Sequence, residues 1–195
     1  GLNIINDDFL LRDIKKFTRD NNKVRVIGNI PYNITSSILF KLIEEREYIS
    51  DAMFMVQYEV AKRMTAKQGT KDYSILSVLL NYFSNTRFCF KISPNVFYPK
   101  PKVFSAIVHI TFKEIEKIVD DKLFIQVVKA SFGNRRKTLK NSLTNSIFGS
   151  IDFENLSHLA VKRAEKLSTQ EFILLANLIK EQLNGRGNQK LKGSD

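Results

Sequence analysis

The apolar positions of this chain first arrive as short runs closed by polar residues. Leu2-Asn3-Ile4-Ile5 ends in Asn6-Asp7-Asp8, and Val24-Arg25-Val26-Ile27 ends in Gly28-Asn29. Each run predicts a buried strand whose carboxyl end presents polar groups. After the second run, Ile38, Leu39, Leu42 and Ile43 recur at helical spacing. Thr35 or Ser36 stands where a helix cap is needed, and Glu44, Glu45 and Arg46 mark the exposed end. Ala52 to Gln57 predicts a third strand and Thr86 to Ile92 a fourth, with helical patterns over 60–64 and 73–83 between them. Three of the four prolines fall between Ser93 and Lys102, which therefore reads as an ordered loop. The β-rich run Val103 to Phe112 follows it. Strands alternating with helices predict an α/β sheet that takes ligands at the carboxyl ends of its strands.

Beyond Lys113 only the helical period remains. Leu123, Phe124, Val127 and Val128 form one stripe, and Phe172, Leu175, Ala176 and Ile179 form another. A domain boundary is expected between Lys113 and Asp121, giving an α/β part over 1–113 and a small all-α part over 114–184. The Gly-rich polar tail, 185–195, is expected to be disordered. No internal repeat is visible.

Composition narrows the classes. At 195 residues and 43% hydrophobic content the chain can bury a core, and its longest apolar stretch, Ile75 to Leu80, is too short for a bilayer span. The opening residues hold two aspartates and no basic segment, so they do not read as a signal peptide. With Cys89 as the single cysteine, a cytoplasmic location is expected. The formal net charge of +11 favours a polyanionic partner. Between Lys129 and Asn145 stand Lys129, Arg135, Arg136, Lys137 and Lys140 with no acidic residue, which marks this segment for nucleic acid. A solvated helix face is the competing reading.

Asn29, Ile30, Pro31 and Tyr32 follow a predicted strand and suit one demanding task. The exocyclic amine of adenine or cytosine is a poor nucleophile, because its lone pair is delocalised into the ring. A site that methylates it must hold the amine hydrogens on acceptors so that the nitrogen can pyramidalise. The Asn29 side chain offers one carbonyl and the Ile30 backbone another. Pro31 stiffens the turn, and Tyr32 gives a flat face for an extruded base. Positioning and electrostatics would carry such a reaction with little general-base chemistry. Taken alone, these residues serve equally well as a strand-to-helix turn. Phe97 is the best candidate for the opposite face of the base, or else a core phenylalanine. Asp8, with the Phe9 backbone amide, could meet the adenine of a nucleoside cofactor, or else cap a turn. His109 and His158 lie far apart in sequence, and no metal site is expected.

These pieces, in this order, resemble the bacterial small-subunit (16S) rRNA adenine dimethyltransferases. The resemblance runs through NIPYNI at Asn29 to Ile34, FMVQYEVAKRM at Phe54 to Met64, YSILSVLL at Tyr73 to Leu80, PNVFYPKPKVFSAIV at Pro94 to Val108, FGNRRKTLKNSL at Phe132 to Leu143 and RAEKLSTQEF at Arg163 to Phe172. It implies a Rossmann-like methyltransferase domain followed by a helical domain, with S-adenosyl-L-methionine as cofactor. The implied reaction is dimethylation of two adjacent adenines in the small (30S) ribosomal subunit, with a role in ribosome biogenesis, by a monomer. By position, Asn29, Ile30, Pro31 and Tyr32 become the target-base motif with Phe97 opposite. Asp8, Phe9 and Asn29 fall on the cofactor side, and Arg135, Arg136, Lys137 and Lys140 face rRNA. The macrolide-resistance methyltransferases of large-subunit rRNA share NIPY and PKPKV, but Gln57, Glu59 and FGNRRKTLKNSL are closer to the small-subunit enzymes. Mitochondrial transcription factors descended from the family are a weaker match. A non-catalytic ribosome-assembly factor that docks through the basic segment is the rival from another class.

The sequence departs from the family in two motifs. The family's glycine-rich cofactor loop and acidic ribose-binding residue do not appear, so the chain reads as an amino-terminally truncated member. The 195 residues alone are expected to bind S-adenosyl-L-methionine weakly and to be inactive.

Overall fold

The computed structural model describes residues 2–20, 22–114, 119–149 and 151–192, with side chains described through residue 185. In chain order the elements are β1 (Val24–Asn29), α1 (Thr35–Glu44), β2 (Ile49–Gln57), α2 (Tyr58–Met64), α3 (Ile75–Phe83), β3 (Ser84–Ile92) and β4 (Ser105–Phe112). Helices α4 (Asp121–Phe132), α5 (Leu139–Thr144), α6 (Ser157–Ala160) and α7 (Thr169–Lys192) follow. Two compact units result, one formed by Gly1–Thr65 with Phe83–Glu114, the other by Ala66–Tyr82 with the chain beyond Glu114.

The first unit is built on a four-stranded sheet of order β1-β2-β4-β3. The β1–β2 pair is parallel, joined through α1, and β4 is antiparallel to both β2 and β3. Alternation along the strands sends Ala52, Phe54, Val56, Ala106, Val108 and Ile110 to a buried face. Helix α1 buries Ile38, Leu39, Leu42 and Ile43, and α2, which lies against β2, β3 and β4, buries Ala61 and Met64. Each buried Ile, Leu or Met side chain among these contributes about 1.5–3 kcal/mol. The other face is more open, with Ile27, Met53 and Phe90 exposed. It also carries a charged cluster. Arg25 Nε donates to Asp51 Oδ1 at 2.7 Å, and His109 Nε2 lies 2.7 Å from Asp51 Oδ2. The Arg25 bond lowers the pKa of Asp51 below the ordinary aspartate value. Burial opposes that shift and the His109 bond adds to it.

Three expectations change here. Leu2 to Ile5 forms no strand, and Leu2 and Ile4 are 89% and 87% exposed. A strand is buried by its neighbours, and no described strand pairs with this segment. Thr35 is the first residue of α1 rather than its cap, and its hydroxyl donates back to the Tyr32 carbonyl at 3.2 Å. Helix α7 runs on through Lys192, across most of the tail expected to be disordered, from a start anchored by the buried Phe172, Leu175, Ala176 and Ile179. Residues 193–195 lie outside the described residues.

The second unit is helical. Phe132 stacks on Phe172 with ring centres 5.9 Å apart, and Tyr82 meets Phe124 at 4.5 Å. Asp120 caps α4 by accepting from the Leu123 amide at 2.8 Å. Ser168 and Glu171 cap α7 reciprocally, with the Ser168 amide donating to Glu171 at 2.7 Å and the Glu171 amide donating to Ser168 at 3.2 Å. The segment Ala66–Tyr82 groups with these helices through bonds such as Tyr73 Oη to the Leu167 carbonyl at 3.0 Å.

Candidate active site

Strand β1 ends at Asn29, and the chain turns at once. Pro31 sits at φ −57° and ψ 133°, a conformation its ring prefers. Tyr32 opens a single 3-10 turn, Tyr32–Ile34, closed by the Ile34 amide donating to the Pro31 carbonyl at 3.2 Å. The Tyr32 hydroxyl lies 2.9 Å from Ser105 Oγ, which ties the turn to the first residue of β4. Phe97 is placed independently. Its amide donates to the Pro94 carbonyl at 3.2 Å and ends a 3-10 turn, Pro94–Val96, that Ser93 caps.

These segments converge. Asn29, Ile30, Pro31, Tyr32 and Phe97 bound one open cavity of about 330 Å³. Met55, Tyr98, Pro99 and Pro101 complete its wall. Sequence reasoning missed these four. Met55 is the cross-strand partner of Asn29 in the parallel pair, a relation that only sheet register reveals, whereas the prolines were visible as a braced loop. The Asn29 carboxamide and the Ile30 carbonyl accept no hydrogen bond among the described residues. Two unsatisfied acceptors beside an aromatic ring suit an amine that must lose its planarity.

Asp8 and Phe9 stand elsewhere in the same unit. Asp8 Oδ1 accepts from the Leu10 amide at 2.8 Å and caps a turn of 3-10 helix, Phe9–Leu11, that lies against α1. The capping reading therefore holds for one oxygen. The other oxygen and the Phe9 amide make no bond among the described residues, so an acceptor and a donor stay side by side. That pair fits the edge of an adenine.

In the helical unit the basic residues divide. Arg136, Lys137 and Lys140 are exposed, and Lys137 joins Asn134, Asn141 and Asn145 around a cavity of about 190 Å³. Arg135 is partly committed to structure, donating from Nη2 to the Lys71 carbonyl at 2.9 Å and to the Tyr73 carbonyl at 3.4 Å. Among the described residues no group of His, Cys, Asp and Glu could hold a metal, and no helix is long and apolar enough to cross a membrane.

Comparison with known proteins adds an independent line. The sequence profile of the family described as "Ribosomal RNA adenine dimethylase" matches residues 1–181. A protein of Francisella tularensis subsp. novicida named "Ribosomal RNA small subunit methyltransferase A" is 42% identical over 179 residues, covering 90% of this chain and 68% of that protein. One of the same name from Bacteroides thetaiotaomicron is 42% identical over 181 residues, covering 92% and 67%. Among solved structures, a dimethyladenosine transferase from Plasmodium falciparum superposes with a TM-score of 0.70 at 25% identity, covering 84% of this chain and 67% of that one. The 23S rRNA methyltransferase ErmE superposes with a TM-score of 0.53 at 23% identity over 87% and 70%, a likeness of fold alone.

Proposed function

The chain belongs to the ribosomal RNA adenine dimethylase family, and on that premise we propose that its site serves the dimethylation of two adjacent adenines near the 3′ end of 16S rRNA in the small ribosomal subunit, as a step of ribosome biogenesis. The observation that carries this reading is the shared cavity of Asn29, Ile30, Pro31, Tyr32 and Phe97. S-adenosyl-L-methionine would supply an electrophilic methyl group. The protein's part is to present the amine. Tyr32 and Phe97 stack on the two faces of an extruded adenine, while Asn29 Oδ1 and the Ile30 carbonyl accept from its N6 hydrogens. Held this way, the N6 lone pair would turn out of the ring plane toward the methyl group that the cofactor would supply, and the amine's surplus proton would leave to solvent. One N6 hydrogen survives the first transfer, so an acceptor still orients the amine for the second.

Asp8 and the Phe9 amide would meet the cofactor adenine, with Asn29 near the point of transfer. Arg136, Lys137 and Lys140 would bind rRNA phosphate, and Arg135 would contribute with the donors left over from Lys71 and Tyr73. The enzyme would act as a cytoplasmic monomer. The glycine-rich loop and ribose-binding acid are not among these 195 residues. The polypeptide by itself should therefore bind the cofactor weakly and transfer no methyl group, and tight binding in calorimetry would contradict this.

Labelled methyl transfer tests the reading, in a chain that also carries those two motifs. Dimethyladenosine at two adjacent positions of 16S rRNA, mapped by mass spectrometry, is expected. Label on large-subunit rRNA instead would favour the macrolide-resistance type, and binding to small subunits without transfer would favour an assembly factor.

A further inference from the structure

The loop that carries Phe97 ends at a second aromatic group with no place in the chemistry above. Phe104 directly precedes Ser105, the residue bonded to Tyr32, and its carbonyl accepts from the Tyr58 amide at 2.9 Å. Tyr58 opens α2 immediately after β2. Both rings therefore stand at the carboxyl end of β2, on the same edge of the sheet as the turn at the end of β1, where α/β sheets receive ligands. Phe104 is 44% exposed. Phe88 meets Tyr58 edge-on at 6.1 Å and braces it.

Between the two rings sits an ammonium. Lys91 Nζ lies 3.8 Å from the Phe104 ring centre and 4.5 Å from that of Tyr58. Both rings attract a cation, yet Lys91 has no acidic partner among the described residues. A positive charge fixed by aromatic faces and left without a carboxylate keeps its donors for an incoming anion. Lys100 and Lys102, exposed on the loop between Phe97 and Phe104, add to the positive charge and also lack acidic partners among the described residues.

We propose that Phe104, Tyr58 and Lys91 form a second nucleotide-binding surface, which takes an unpaired nucleotide flanking the target adenine. The phosphate meets Lys91 and the base stacks on the open side of Phe104. The inference rests on the rRNA-methylating reading and extends it, because a base extruded into the Asn29–Tyr32 cavity leaves neighbours that also need support. A ring with a fixed cation at its side is how proteins hold single strands. The charge favours RNA over an apolar protein segment.

The test uses the 195-residue chain and a short unpaired RNA carrying two adjacent adenines, with binding followed by fluorescence anisotropy across a salt series. Phe104→Leu should weaken binding about tenfold, and Phe104→Tyr should restore it. Lys91→Gln should flatten the slope of log affinity against log salt by about 0.7, and Lys91→Arg should keep it. Wild-type affinity and slope in both Phe104→Leu and Lys91→Gln, with the parent chain binding normally, would overturn this surface alone. Loss in Phe104→Leu and Phe104→Tyr alike would overturn it too, assigning the ring to packing. If the parent chain showed no salt-dependent RNA binding, the proposed function would fall first and this surface with it.

Discussion

The turn proposed for the target base and the segment proposed for the cofactor adenine differ in how much protein stands behind them. Asn29 ends a strand paired with β2, Tyr32 is bonded to β4 through Ser105, and Phe97 is set by its own capped turn. The Asp8 side chain makes one bond, to the Leu10 amide, and its other bonds reach only its neighbours Asp7 and Leu11, at the end of an exposed segment. A site is precise when its supports are themselves locked by packing and hydrogen bonds. On that standard the half proposed for the base is pre-formed in these residues, and the segment proposed for the cofactor adenine is held less firmly.

Removing both rings strikes the built half hardest. In a chain with a complete cofactor site, Tyr32→Ala with Phe97→Ala should lower methyl transfer about 30-fold to 10⁴-fold, since each ring stacked on a base is worth about 1–3 kcal/mol. An intact rate would show that the cavity holds no base. A smaller effect compares the supports directly. Ile49→Ala, in the buried start of β2, should cost about 2–5 kcal/mol in chemical denaturation. Lesser still is the effect of pH. The Asp51 carboxyl ionises at lower pH in the folded chain than in the unfolded one, so its stabilisation is complete above the ordinary aspartate pKa of about 3.9. That stabilisation is lost as pH falls from there through the lowered folded value. Melting temperature should drop over this window, and Asp51→Asn should make the drop shallower. Least of all, Ile4→Ala in the segment before Asp8 should shift stability by no more than about 0.5 kcal/mol. A large cost at Ile4 would erase the contrast between the two regions.

Much of this contrast was legible in the chain, and its failures are informative. The run Val24 to Ile27, the stripe at Ile38, Leu39, Leu42 and Ile43, and the proline-braced loop carry local signals that the fold honours. Asn29, Tyr32 and Phe97 were recognisable by residue type, and their convergence was implied by resemblance before the cavity showed it. Leu2 to Ile5 misled because an apolar run states only that it can be buried, while partners decide whether it is. Met55 and Ser105 escaped because cross-strand register is a property of two strands. Arg135 counted as a free cation in the sequence, and only the fold brings the Lys71 and Tyr73 carbonyls to it.

The central claim is that Asn29 orients the target amine rather than merely ending a strand. Methyl transfer to small ribosomal subunits by an Asn29→Ala variant, measured beside its RNA affinity in a chain with a complete cofactor site, tests it most directly. The account predicts a rate about 10²–10³-fold lower with affinity essentially unchanged, the scale of losing one pre-organised polar contact at a reacting centre. Methylation at the parental rate would contradict it.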